Sequence, residues 1–250
     1  MNLAGQVVIV TGASRGMGLE ISKVLARSNA QVVMFARNAT RLSEAVRLVE
    51  EQGGAAVSFP TDVTDWGQVF HSVDRVAQRF GKIDILINSA FWGPPASIAE
   101  TTPEFWDKTL DTTLKGPFLM ARAVAPYFQK QGHGRIINIG SMAGKVGEDN
   151  RTAYCAAKWG LEGLTAALRE ELKNHGVHIN LISPAATDTP WWSEVGVKLS
   201  AEQKERMIPV EAIANAVLWV ISQPEAVFIP DVPIFNFRNP FEGKGSPFES

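Results

Sequence analysis

Between residues 6 and 90 the sequence alternates short, almost uninterrupted apolar runs with longer amphipathic stretches. The runs are VVIVTG at 7–12, QVVMFA at 31–36, AAVSFP at 55–60 and IDILIN at 83–88. A strand wetted on one face alternates apolar and polar residues, whereas one that is apolar throughout is covered on both faces. Between the runs, Leu42, Ala45, Val46 and Val49 recur at i, i+3, i+4 and i+7. Val69, Val73, Val76 and Phe80 follow nearly the same rule, so each intervening helix has one buried face.

Covered strands alternating with one-faced helices predict an α/β fold, a Rossmann-type doubly wound parallel sheet of about seven strands with helices on both faces. Two more apolar runs, RIINIGS at 135–141 and HINLIS at 178–183, flank a helical stretch from about 152 to 174, and VPIFNF at 232–237 supplies a last strand. No repeat or Pro/Ser-rich linker divides the chain, so 1–237 reads as one domain. Residues 238–250, NPFEGKGSPFES with the preceding arginine, read as a tail, either a disordered end or an arm onto a neighbouring subunit.

The first apolar run leads straight into Thr11-Gly12-Ala13-Ser14-Arg15-Gly16-Met17-Gly18. A Gly-rich turn that ends a strand and opens a helix directs backbone N–H groups toward a bound phosphate. A side chain at Gly12 would disfavour the tight turn, one at Gly16 would block the phosphate, and one at Gly18 would push the helix off the strand.

The spacing TGxxxGxG resembles that of the short-chain dehydrogenase/reductase family, and the resemblance runs from about residue 5 to 222. Asp62-Val63 is similar to the family's adenine-contacting pair, and Asn88-Ser89-Ala90 stands where the family has Asn-Asn-Ala-Gly. Ser141, Tyr154 and Lys158 match its catalytic residues. The resemblance implies an enzyme that interconverts a carbonyl and a secondary alcohol, with Tyr154 as acid or base, Lys158 also binding the ribose and Ser141 orienting substrate. Pro184, Ala185, Thr187 and Thr189 would lie along the nicotinamide side of the cofactor.

A ribose 2′-hydroxyl is usually bound by an acidic residue after the second strand, whereas a 2′-phosphate requires positive charge. Here that strand ends Phe35-Ala36-Arg37-Asn38, and Arg37 can offer a bidentate fork while Arg15 approaches from the Gly-rich turn. NADP(H) is therefore the expected cofactor. Hydride addition to a carbonyl develops negative charge on oxygen, which Ser141 and Tyr154 can meet with O–H donors. Tyr154 and Lys158 are four residues apart on one helical face, where an ammonium is expected to lower the phenol below its unperturbed ~10.

Three positions depart from the family pattern. Thr113 stands in Thr113-Leu114-Lys115-Gly116 where the family has an asparagine that helps hold a water; it can hold a water but offers no amide. Phe91 replaces a glycine and would narrow the pocket or alter its loop. Ala185 replaces the glycine of a Pro-Gly turn and, if φ there is positive, adds roughly 1 kcal/mol of strain or shifts the loop.

Phe91 and Trp92 after the fourth strand, and Trp191 and Trp192 after the sixth, favour an apolar or aromatic substrate or else pack a lid or subunit contact. With 24 Lys+Arg against 26 Asp+Glu, the chain has no charge excess to recruit nucleic acid or an anionic membrane. Cys155 is the single cysteine, so no intrachain disulfide forms, and a reducing cytoplasm fits. Neither it nor the scattered His71, His133, His175 and His178 has metal-ligand spacing, so no metal is expected. The resemblance implies a homo-dimer or homo-tetramer built from long helices near 103–130 and 152–174. Two rival readings stand beside it: an NADP(H)-binding sensor or scaffold without turnover, and a non-redox relative such as a dehalogenase or epimerase.

Overall fold

The apolar runs become strands and the amphipathic stretches become helices, in the order the sequence predicts. A computed structural model describes residues 2–242. Its first half contains β1 (Val7–Thr11), α1 (Gly16–Arg27), β2 (Gln31–Ala36), α2 (Ala39–Glu50), β3 (Ala55–Pro60), α3 (Trp66–Phe80) and β4 (Ile85–Asn88). There follow α4 (Pro103–Leu110), α5 (Gly116–Gln131), β5 (Gly134–Ile139), α6 (Thr152–Leu172) and β6 (Val177–Pro184). The remainder comprises β7 (Thr187–Asp188), α7 (Trp191–Glu194), α8 (Ala201–Arg206), β8 (Ile208–Pro209), α9 (Val210–Ile221) and β9 (Asp231–Ile234).

Seven strands form one parallel sheet in the order β3-β2-β1-β4-β5-β6-β9, and β7 and β8 pair separately. Successive side chains on a strand point to opposite faces. Val8 and Val10 of β1, with Val32 and Met34 of β2, accordingly pack toward α1, α2 and α9. Val7 and Ile9, with Val33 and Phe35, pack toward α3 and α5. Both faces of the central strands are covered, which is why their sequences lack alternation.

Three local expectations change. The helical region near 103–130 is two helices joined by a π-helical turn, Asp111–Lys115. The last strand is Asp231–Ile234, so Phe235, Asn236 and Phe237 run on as loop. The start of the expected tail folds back: Pro240 is buried, and the Phe241 ring lies 5.4 Å from that of Trp192. The part of the tail expected at 243–250 lies outside the described residues.

β1 and β4 are neighbours although β2 and β3 lie on the far side of β1, so the winding reverses between them. Loops leaving the carboxyl ends of two such strands diverge and open a crevice. Thr11 fixes its floor: the hydroxyl accepts from Ser89 N at 3.0 Å and Ala90 N at 3.1 Å and donates to Ile87 O at 3.4 Å.

Candidate active site

The Gly-rich turn and the loop after β4 meet at this crevice. Gly12 has φ +64°, and a Cβ there would lie 2.8 Å from Ala90 Cα, so the two backbones approach as closely as only glycine permits. Gly16, at φ +53°, opens α1 with its N–H groups facing the cleft. Ser14, Met17 and Gly18 continue this wall, and Val63, Ser89, Ala90 and Thr189 line the cleft further in.

At the end beyond β2, Arg15, Arg37 and Arg41 line the same cleft beside Ala36 and Asn38. Burial, followed by the like charges of Arg41 and Arg37, lowers the Arg15 guanidinium below its ordinary range. An anion placed among them would relieve that repulsion. Arg15 also makes an ion pair with Glu194 of α7, while Arg37 lies 3.9 Å from Asp62. These carboxylates hold the arginines without entering the cleft lining. The glycine cradle and the cationic end together fit a dinucleotide carrying an extra phosphate.

Arg41 escaped the sequence reading. Its signal was local: Asn38 caps α2 by accepting from Arg41 N at 2.9 Å, so the first helical turn carries Arg41 back toward Arg37. Two of the expected cofactor contacts, Asp62 and Asn88, also hold neighbouring elements in place. The Asp62 carboxylate accepts from Thr64 N at 2.9 Å and Thr64 Oγ1 at 2.8 Å, bracing the turn after β3. Asn88 lies beneath the cleft, its Nδ2 donating to Asn138 Oδ1 at 2.9 Å. Asn138 Nδ2 then donates to Thr165 Oγ1 at 2.8 Å, tying β4 and β5 to α6.

That tie sets the depth of α6, whose first turns carry Tyr154 and Lys158. Lys158 is 3 % exposed and its Nζ donates to Ile139 O at 2.7 Å. Burial, with a smaller contribution from Arg151, lowers its ammonium to about 7. The Ser141 hydroxyl reaches the Tyr154 phenol and also accepts from Ala143 N at 3.1 Å. Lys158 is not among the influences that act on the Tyr154 phenol here. Burial pushes Tyr154 up, and the influences opposing it are Arg151 first and the Ser141 hydrogen bond second. Lys158 Nζ stands 5.6 Å from the Tyr154 ring centroid, whereas Arg151 Cζ lies 4.1 Å from it.

Gly93 is a second position that sequence reasoning missed, because a glycine in a loop has many ordinary explanations. A Cβ there would lie 2.7 Å from Tyr154 Cδ2, so the loop after β4 rests directly on the phenol ring. Thr113 supports that loop. It is fully buried, accepts from Trp92 N at 3.1 Å and donates to Trp92 O at 2.8 Å. Its proton goes to the Trp92 carbonyl, so the side chain clamps the π-helical turn to the loop.

Beyond Tyr154 opens a second cavity of about 540 Å³, lined by Phe91, Ser141, Pro184, Ala185, Thr187, Thr189 and Trp191 together with Trp192. Ala185 is not among the described non-glycine residues with positive φ and donates to Ile234 O at 2.8 Å, so the expected strain does not arise. The Phe91 ring stands edge-on to Tyr154 at 6.1 Å, and Trp191 lies 6.3 Å from Phe91. Trp192 donates from Nε1 to Thr187 O at 2.9 Å. Trp92 does not reach this cavity. Its ring packs on Phe105 at 4.8 Å, with Lys108 over it at 4.3 Å, so it braces the loop.

Residues after β9 complete the cavity wall: Phe235, Asn236, Asn239, Pro240 and Phe241. Asn236 Nδ2 pins them by donating to Ala186 O at 2.9 Å and Arg206 O at 3.0 Å. Among the described residues, no group of three or more His, Cys, Asp or Glu side chains is placed to hold a metal, and no helix is long and apolar enough to cross a membrane.

A family model described as short chain dehydrogenase matches residues 6–199. An uncharacterized oxidoreductase of Staphylococcus saprophyticus is 32 % identical over 94 % of this chain and 98 % of its own length. A metagenomic short-chain oxidoreductase, solved in complex with NADP, is 33 % identical with a TM-score of 0.82, covering 94 % of this chain and 99 % of that one. An NAD+-bound xylitol dehydrogenase is 28 % identical with a TM-score of 0.87, covering 94 % and 99 %.

Proposed function

Given that this chain belongs to the short-chain dehydrogenase family, we propose that it is an NADP(H)-dependent oxidoreductase interconverting a small-molecule carbonyl and a secondary alcohol. The observation that carries the reading is that Ser141 and Tyr154 line the aromatic cavity, which shares Phe91 and Thr189 with the glycine-turned cleft, while Lys158 is buried beside the Tyr154 ring. When bound, the nicotinamide supplies or accepts the hydride.

The rest falls to side chains of this chain. Burial keeps the Tyr154 phenol protonated at neutral pH, so it can donate its proton to a carbonyl oxygen as negative charge develops there. The Ser141 hydroxyl holds that oxygen in place. Lys158, held by Ile139 O, supports the ribose end of the cofactor beside the phenol. Phe91 and Trp191 exclude water from the reacting atoms and favour an apolar or aromatic substrate body.

Arg15, Arg37 and Arg41 support the choice of NADP(H), the relatives being divided between the two cofactors. Phe118 on α5 and Trp159 on α6, both exposed, support assembly into a homo-dimer or homo-tetramer. The free thiol of Cys155 suits a reducing, cytoplasmic setting.

Steady-state consumption of NADPH and NADH across aliphatic, aromatic and polar carbonyls tests the reading, with Tyr154→Phe as control. Turnover preferring NADPH by about tenfold and lost in the variant is expected, tenfold being about one charge-assisted hydrogen bond to the 2′-phosphate. Equal use of NADH overturns the cofactor assignment, and tight NADPH binding without turnover on any carbonyl replaces the enzyme with a sensor.

A further inference from the structure

Arg151 caps α6 three residues before Tyr154, so one helical turn brings its side chain back over the phenol. Its guanidinium carbon lies 4.1 Å from the Tyr154 ring centroid and 5.0 Å from that of Trp191, and the residue is 6 % exposed. A cation over the face of a phenol attracts the ring's π-electrons, and it attracts the phenolate more strongly because that form carries a full charge. Burial beside two aromatic rings strengthens the interaction by removing the water that would screen it.

We infer that Arg151 is a positioning residue for Tyr154, holding the ring between itself and Gly93 and stabilising the phenolate that must be present to take the proton when an alcohol is oxidised. The inference rests on Tyr154 being the acid/base, and it assigns to a loop arginine part of the electrostatic task that the helix lysine was expected to perform alone.

The charges around the phenol agree with this assignment. Lys158 and Cys155 face it from α6, Glu148 from the preceding loop, and Asp149 lines the same cavity. Ser141 contributes a neutral hydroxyl, while Phe91, Gly93 and Thr109 contribute no charge. Glu148, 3.9 Å from Arg151 and 37 % exposed, opposes ionisation, as does burial; Arg151 is the strongest influence favouring it. Removing Arg151 also relieves like-charge repulsion on Lys158, which would leave more positive charge there. That compensation opposes the direct effect, and Arg151→Lys, which restores a cation at 151, is the control for it.

The test is the pH profile of kcat/KM for alcohol oxidation with NADP+, in the wild-type protein, Arg151→Met and Arg151→Lys. Methionine keeps an unbranched apolar stem over the ring without charge, and lysine restores a cation. The midpoint of the rise in rate with pH is expected to move up by about one pH unit in Arg151→Met, at the low end of the effect of a charge at this distance, and to return in Arg151→Lys. A merely structural role would lower the rate in both variants with the midpoint unmoved, and that result overturns the inference. Should the wild type oxidise no alcohol, the functional reading fails separately. Phenolate absorbance in a Tyr127→Phe background then reads the same shift without turnover, since the chain has two tyrosines.

Discussion

Taking the Lys158 ammonium into a site where it is 3 % exposed, with Arg151 nearby, lowers its ionisation to about 7 from an unfolded value near 10.5. Between those values the unfolded chain binds more protons than the folded one, so stability rises with pH across that window. Below about pH 7 the penalty of charging the buried group is fully present. Lys158→Met is therefore expected to raise the thermal midpoint of the cofactor-free protein most at neutral pH and progressively less toward pH 10, read by calorimetry at a series of pH values, while abolishing turnover. A gain independent of pH would mean that the ammonium is solvated. At the far end of the cleft, Arg41→Ala removes one of three cations and leaves the glycine cradle untouched. NADPH affinity should fall about tenfold and NADH affinity should not change, as measured by quenching of protein fluorescence. Equal losses for both cofactors would place Arg41 outside the 2′-phosphate site.

The strands were legible from their apolar runs because a parallel strand covered on both faces cannot alternate. QVVMFA and AAVSFP match β2 and β3 end to end. The π-helical turn at Asp111–Lys115 was not read from the sequence: Gly116-Pro117, directly after it, signals a disturbed helix, because Pro117 has no N–H to bond back, but not the form the disturbance takes. There Thr113 meets both the N–H and the C=O of Trp92, a partner twenty-one residues away. Thr113→Val keeps the shape and removes both hydrogen bonds, leaving the part-buried backbone groups of Trp92 without these partners. A loss of about 1–3 kcal/mol in the denaturant midpoint analysis is expected, with a lower kcat because the loop no longer seats Gly93 against Tyr154. Unchanged stability would show that water replaces the hydroxyl.

Across the molecule, the chain after the last strand returns to the cavity whose opposite wall begins at the first βα turn, where Met17 lines it. Phe241→Ala leaves the cofactor cleft intact and removes the ring that backs Trp192. It should raise KM for bulky apolar carbonyls severalfold with NADPH affinity unchanged, measured by initial rates and equilibrium titration; a matched loss of cofactor affinity would show that the segment supports the whole fold rather than the substrate cavity.

The sequence by itself determined the layered α/β architecture, the glycine-rich turn after the first strand and the spacing of Ser141, Tyr154 and Lys158. These depend on periodicity, on glycine stereochemistry and on residues brought together by one strand and one helix. Only the tertiary structure decided that Trp92 braces a loop while Trp191 lines the cavity, that Arg41 joins Arg15 and Arg37, and that Arg151 lies nearer the centre of the Tyr154 ring than Lys158 does. The local pattern sets the direction in which a side chain leaves its own element. What it meets there depends on neighbours from distant parts of the chain, and burial and charge act through those neighbours.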